Sequence, residues 1–160
     1  MTFTTADLCD EFPGLVRIAQ PVFNNYGGVS RFAGPIETLR VYEDNALVAK
    51  VFETPGRGRV LVLDGGGSLR TALVGGRLAR LASTNGWAGL LVNGCVRDSI
   101  EIREIPVGVR ALATSPMRSA KGSGGEQGVQ VSFAGLTFSP GQYLYVDEDG
   151  IVLADRRLID

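Results

Sequence analysis

At 160 residues, 44% of them hydrophobic and 21% charged, the chain can bury one substantial core and has the balance of an ordinary globular domain. Its net charge of −1, with arginines scattered rather than clustered, excludes the basic stripe of a nucleic-acid binder, and no apolar run approaches the roughly 20 residues of a membrane span. There is no histidine, which excludes Ser-His and Cys-His machinery and leaves any metal to oxygen ligands, a preference for Mg²⁺, Mn²⁺ or Ca²⁺.

The N-terminal stretch MTFTTADLCDEF is acidic and mixed, unlike a secretory signal, so a cytoplasmic protein is expected. Thr5 to Phe12 reads as a short helix with Thr4 or Thr5 as N-cap and Pro13-Gly14 as its stop. Val16 to Ala19 is a short strand ended by Pro21, and Asn24 to Gly28 is a turn. Phe32 to Val41 contains a strand, with Gly34-Pro35 marking an irregular start. Asp44 or Asn45 caps a helix through Glu53 that places Ala46, Leu47, Val51 and Phe52 on its buried side, and Thr54-Pro55-Gly56 ends it.

Arg59 to Leu63 has the continuous apolar pattern of a strand buried on both faces. Gly65 to Val74 is loop, with a helical turn at Leu69 to Leu73 as an option. Val74, Leu78, Leu81 and Ala82 then follow helical spacing. Gly75 and Gly76 would each cost about 1 kcal/mol inside a helix, so the helix is placed to begin at that pair and to end at Asn85-Gly86. A start there frees the amides of Gly75, Gly76, Arg77 and Leu78 for an anion.

Ala88 to Val92 is a buried strand, Ser99 to Ile105 a short helix and Val109 to Thr114 another strand. Pro116 to Gly128 reads as an exposed flexible loop. Short strands follow at Val129-Val131-Phe133, Leu136-Phe138, Tyr143-Tyr145 and Ile151-Leu153. Ala134-Gly135, Pro140-Gly141 and the hairpin signal Asp149-Gly150 separate them. The fold class is α/β with a β-rich C-terminal third, residues 1–160 forming one domain without internal repeats.

Residues able to do chemistry concentrate between Asp64 and Glu101. Asp64-Gly65-Gly66-Gly67-Ser68 follows a strand, which suits a nucleotide or methyltransferase loop or merely a tight strand exit. It lacks GxGxxG, whose third glycine would fall at Arg70, and no Walker lysine follows. Asp64 is either a metal ligand or a brace for that loop. Arg97 can grip a carboxylate by two parallel hydrogen bonds and Asp98 can ligate a divalent cation. Alternatively, Asp98 is the N-cap of the next helix and Glu101 its capping-box acid.

Glu101 lies one helical turn beyond Asp98, placed either to orient Arg97 or a water, or as a solvated acid. Arg70 and Arg77 could add charge to the pocket. Lys50 and Lys121 are the only Schiff-base candidates, and Lys50 falls on an amphipathic helix where solvation is its ordinary state. Cys9 and Cys95 are too few for a disulfide framework or zinc site, and Cys95 reads as a small buried thiol.

DNALVAKV, GRGRVLVLDGGGSLRTALVG, GWAGLLVNGCVRD and PGQYLYVDEDGIVL together resemble the regulator of ribonuclease E activity A (RraA-like) family, which includes metal-dependent 4-hydroxy-4-methyl-2-oxoglutarate aldolases. The aldolase branch carries a glycine, twenty residues, Arg-Asp, two residues and an acid. Gly76, Arg97-Asp98 and Glu101 match that spacing. The resemblance implies a swivelling α/β/β domain in a homotrimeric ring with sites between subunits. It implies substrate held by the backbone of Gly75, Gly76, Arg77 and Leu78 and by Arg97, with Mg²⁺ or Mn²⁺ on Asp98.

Arg97, Asp98 and Glu101 would then be the catalytic set, with Glu101 or Asp64 ordering a water that takes the C4 hydroxyl proton. Cleavage of the small 2-keto acid would give two pyruvates, and oxaloacetate decarboxylation would accompany it through the same enolate. The alternative implied by the family is a non-catalytic regulator that binds and inhibits ribonuclease E; retention of Asp98 favours the enzyme. A methyltransferase ranks third.

Overall fold

The computed structural model describes residues 2–122 and 124–160. Helix α1 (Thr5–Glu11) begins where the Thr4 hydroxyl accepts from the Asp7 amide at 3.0 Å. Strands β1 (Val16–Ile18), β2 (Asn24–Asn25) and β3 (Phe32–Arg40) follow. The expected irregularity at Gly34-Pro35 is absent. The ladder bond to Gln142 is made by the Ile36 amide, and parallel pairing on the other edge starts at Ile36, so Pro35 interrupts neither ladder. Gly34 is there because a Cβ would collide with the Gly58 carbonyl.

Helix α2 (Ala46–Phe52) buries Val48, Val51 and Phe52, an i, i+3, i+4 stripe rotated from the expected one; Ala46 and Leu47 are only half-buried. Strand β4 (Val60–Asp64) is followed by β5 (Ala72–Val74), where a helical turn had been an option; β5 pairs in parallel at Ala72↔Cys95 and Val74↔Val96. Helix α3 (Gly76–Thr84) starts at the glycine pair and ends at Asn85 as the sequence predicts. Val74, however, belongs to β5, and the buried face of α3 is Leu78, Ala79 and Ala82.

Strand β6 (Gly89–Val96) runs past Val92 because β5 pairs with its far end. Helix α4 (Ser99–Ile102) is shorter than expected, and β7 (Gly108–Thr114) matches. The segment after β7 is strapped down rather than a free loop, Ser123 lying outside the described residues. The Ala72 amide bonds to Met117 O at 2.8 Å, the Asn45 amide to Ala120 O at 3.0 Å, and β8 (Glu126–Gln127) pairs with β3. Strands β9 (Val131–Phe133) and β10 (Leu136–Phe138) form a hairpin through Ala134-Gly135, both at positive φ. Strands β11 (Tyr143–Asp147) and β12 (Gly150–Ala154) are joined by Glu148-Asp149. Gly150 therefore opens a strand instead of completing the turn.

The main sheet runs β1-β12-β11-β3-β4-β6-β7-β2, with β5 on β6 and β8 on β3. Its centre, β3, β4, β6 and β7, is parallel, and β11, β12 and β1 extend it antiparallel. Residues of α2 and α3 join the core on one face; residues of β9 and β10 join the core on the other, giving helix, sheet and hairpin layers. A smaller core seats α1 on β11 and β12 through Leu8, Tyr143, Tyr145 and Val152. Among the described residues no helix is long and apolar enough to cross a membrane.

Candidate functional site

Parallel strands deliver their carboxyl ends to one place, and ligands in such sheets bind beyond those ends. Strand β5 finishes at Val74 beside Val96 at the end of β6, and the Arg97 amide bonds to Val74 O at 3.0 Å. Gly75-Gly76 and Arg97-Asp98 are therefore neighbours. Asp98 sits in the left-handed region at φ 60°, ψ 43°, and its Oδ2 accepts from the Gly76 amide at 2.9 Å. It thus caps α3 and makes no capping bond to α4, so the alternative of a capping box with Glu101 is not what forms.

Glu101 instead pairs with Arg80 of α3. The glycine pair lets these groups come close. A Cβ at Gly75 would lie 2.8 Å from Asp98 Oδ2, and one at Gly76 would collide with the Glu101 carboxylate.

In front of this junction lies a cavity of about 170 Å³ lined by Gly75, Arg77, Leu78, Arg97, Asp98, Asn45 and, from the strap, Arg118, Ser119 and Lys121. Four cationic side chains thus surround one carboxylate. Arg97 is steadied by a bond from Nη1 to Pro116 O at 3.3 Å. The Gly76 amide is taken by Asp98, which leaves those of Arg77 and Leu78, next in the first turn of α3, as donors without intrahelical partners. Of the expected substrate-holding amides, Gly76's is thus engaged by a side chain.

Glu101 and Asp64 do not line the cavity. Asp64 Oδ1 accepts from the Gly66 amide at 2.9 Å and from Asn93 Nδ2 at 3.0 Å, the bracing role. The Gly65 and Gly67 amides both donate to Asn93 O, at 3.0 and 3.1 Å, so the triple-glycine loop spends those donors on the fold rather than on a phosphate. Arg70 is likewise committed, gripping Glu43 at 2.7 and 2.9 Å. Arg70, and then the Ser68 hydroxyl, hold the Glu43 carboxyl below its ordinary range. Cys95 is buried, and burial pushes its thiol up.

Sequence reasoning missed Arg118 altogether and weighed Lys121 only as a Schiff-base amine. The one signal available was a pair of basic residues flanking the small polar Ser119. Ser119 is buried, its Oγ donating to Ala72 O at 2.8 Å and lying 2.9 Å from Thr71 Oγ1.

Among the described residues no three metal-ligating side chains converge. Asp98, with Oδ1 left over from the Gly76 bond, suits a hard cation held by one carboxylate, keeping waters and taking substrate oxygens, the usual habit of Mg²⁺.

The family model for RraA-like proteins, described as Aldolase/RraA, matches residues 5–153. A protein of Dechloromonas aromatica named "Putative 4-hydroxy-4-methyl-2-oxoglutarate aldolase" is 53% identical over 162 residues, covering 99% of both chains. The structure of the RNA-processing inhibitor RraA from Thermus thermophilis superposes with a TM-score of 0.95 at 50% identity, over 99% of this chain and 96% of that one. A Geobacillus kaustophilus structure described as an S-adenosylmethionine: 2-dimethylmenaquinone methyltransferase gives 0.95 at 46% identity, over 98% and 97%. Three similar chains thus carry three different activities in their names.

Proposed function

The chain belongs to the RraA-like family, and we propose that within it this protein is a divalent-metal-dependent lyase cleaving 4-hydroxy-4-methyl-2-oxoglutarate to two pyruvates, with oxaloacetate decarboxylation as a secondary activity. The observation that carries this reading is the cavity at the ends of β5 and β6, where Asp98 is set among Arg77, Arg97, Arg118 and Lys121. That charge balance suits a small acid with two carboxylates together with a cation on Asp98. The aldolase name borne by similar chains supports the same choice.

Asp98 would hold Mg²⁺ or Mn²⁺, which when bound supplies electrophilic pull on the 2-keto oxygen. Arg97 grips the adjacent carboxylate, and the Arg77 and Leu78 amides face the charge that gathers as the C3–C4 bond breaks. Arg118 and Lys121 take the distal carboxylate. The C4 hydroxyl proton leaves to solvent in the open cavity, C4 becomes the carbonyl of one pyruvate, and protonation of C3 completes the other. Glu101 supports this set from behind, through its contact with Gly76 and its pair with Arg80. We further propose a homotrimer acting in the cytoplasm, the assembly to be read by light scattering.

Pyruvate release from the hydroxy-methyl keto acid and from oxaloacetate, measured with Mg²⁺ and with EDTA, tests the proposal. Release should stop on chelation and return with Mg²⁺. Turnover that survives EDTA and dies with borohydride plus substrate would point to a lysine Schiff base and overturn it. A second reading, inhibition of ribonuclease E, is supported by the likeness to the Thermus inhibitor. It would replace the first if the protein bound ribonuclease E equally well with Arg97→Ala and turned over no keto acid.

A further inference from the structure

We propose that the turn Glu43-Asp44, outside the cavity, is the positioning device that holds Lys121, and through it the strap that also carries Arg118, in place for the substrate's distal carboxylate; this rests on the reading above and deepens it. Arg118 and Lys121 lie on a segment without regular structure, their side chains exposed and in no ion pair among the described residues. Two long, free side chains on such a segment would scatter their charge over many rotamers unless the backbone beneath were fixed. That backbone is fixed from two sides. Under Arg118, Met117 O accepts from the Ala72 amide at 2.8 Å and Ser119 Oγ donates to Ala72 O at 2.8 Å.

Around Lys121 the anchors come from the turn. Glu43 O accepts from the Ala120 amide at 2.9 Å, the Asn45 amide donates to Ala120 O at 3.0 Å, and Asp44 Oδ2 accepts from the Gly122 amide at 2.7 Å. Both residues flanking Lys121 are thus tied to the same three-residue stretch. Glu43 achieves this in a left-handed conformation, φ 53°, uncommon for a residue bearing a Cβ. Its side chain holds the turn down by accepting from Ser68 Oγ at 2.6 Å and from Arg70 at 2.7 and 2.9 Å. The Asp44 carboxylate is shared, because Oδ1 takes the Ala46 amide at 3.0 Å at the start of α2. Only a carboxylate offers an acceptor to both sides. Asparagine would turn a donor toward one of the two amides, and serine reaches only the nearer.

Asp44→Ser separates the two duties, keeping a local bond to the Ala46 amide and releasing Gly122. Loss of one charge-assisted bond should raise KM for 4-hydroxy-4-methyl-2-oxoglutarate about tenfold. The value of kcat should change less than threefold. Product inhibition by pyruvate, which lacks the distal carboxylate, should stay within twofold of the parent. The double variant Arg118→Ala/Lys121→Ala should show the same split, and adding Asp44→Ser to it should raise KM no further, as expected of residues acting through one another.

Unchanged KM in Asp44→Ser, or equal weakening of pyruvate and substrate, or full additivity in the triple variant, would overturn the inference while leaving the lyase intact. Absence of keto-acid turnover by the parent chain would instead remove the reading it rests on. If Asp44→Ser gave no folded protein, Asp44→Thr, whose hydroxyl likewise reaches only the Ala46 amide and releases Gly122, would be judged by the same criteria.

Discussion

Asp98 holds a left-handed backbone that a residue with a Cβ adopts only at a cost, and the bond from the Gly76 amide to its Oδ2 offsets that cost. Asparagine is among the residues that tolerate this conformation best, so Asp98→Asn should fold as the parent does. Its amide oxygen would keep the Gly76 bond, leaving an NH₂ group where a cation needs an oxygen. Turnover should therefore fall at least about 100-fold while the thermal midpoint moves by less than about 2 °C, a split read from steady-state rates beside a calorimetric melt. Activity within tenfold of the parent would mean that no metal rests on this carboxylate. The pair Arg97-Asp98 was legible in the sequence because both residues are adjacent and polar after an apolar strand. The Gly76 bond was not legible, since it joins residues 22 apart. Arg118 and Lys121 were hidden for a stronger reason: their place depends on hydrogen bonds from Ala72 and the 43–45 turn, and nothing periodic marks such a strap.

The start of α3 was readable because two glycines in a helical pattern carry a known penalty, but that penalty alone does not say why they are there. Close approach of α4 supplies the reason. Alanine at position 76 would gain about 1 kcal/mol of helix propensity, and its Cβ would first meet the Glu101 carboxylate, the far end of a flexible, part-exposed side chain that can swing aside. Gly76→Ala should therefore melt within about 2 °C of the parent, the gain in propensity offsetting the disturbed Glu101–Arg80 pair. Removing the carboxylate takes away even that adjustment. Glu101→Ala gives up only a solvent-exposed pair with Arg80, worth little, so Gly76→Ala/Glu101→Ala should melt at or above the parent temperature. A Gly76→Ala variant that melted several degrees below the parent, with no recovery in the double variant, would show that something other than Glu101 needs the glycine. Strand β5 escaped notice at this same scale. Three residues are too few to show a period of two, and β5 exists because β6 continues beyond Asn93 to receive it.

The alternation of Tyr143-Tyr145 and Ile151-Leu153 against the helical spacing of the centre made an α/β core with a β-rich end legible. Pairing between chain ends was not, because Val16↔Ala154 joins residues that no local pattern connects. Asp147 secures that junction. It is 5% exposed, at the end of β11, and accepts from the Thr5 amide and hydroxyl at 2.7 Å each, fixing α1 to the antiparallel half of the sheet. Burial pushes its carboxyl up, but the Thr5 hydroxyl and the amides of Thr5, Asp149 and Gly150 together outweigh burial and leave it below the usual value. A carboxylate depressed in the folded state contributes stability above its unfolded pKa, about 3.9, and loses it as pH falls through the lower folded value. Asp147→Asn should therefore cost roughly 2–3 kcal/mol at pH 7, where hydrogen bonds to a charged acceptor are replaced by bonds to a neutral one. Its melting midpoint should also fall less steeply than the parent's below about pH 4, where the parent's own carboxylate becomes protonated. Strands β3 and β4 stand between β11 and the site-bearing β6, so kcat/KM at 25 °C should match the parent. Superimposable melts at pH 7, or parallel acid slopes, would show that α1 is held by the apolar contacts of Leu8, Tyr143 and Tyr145 alone.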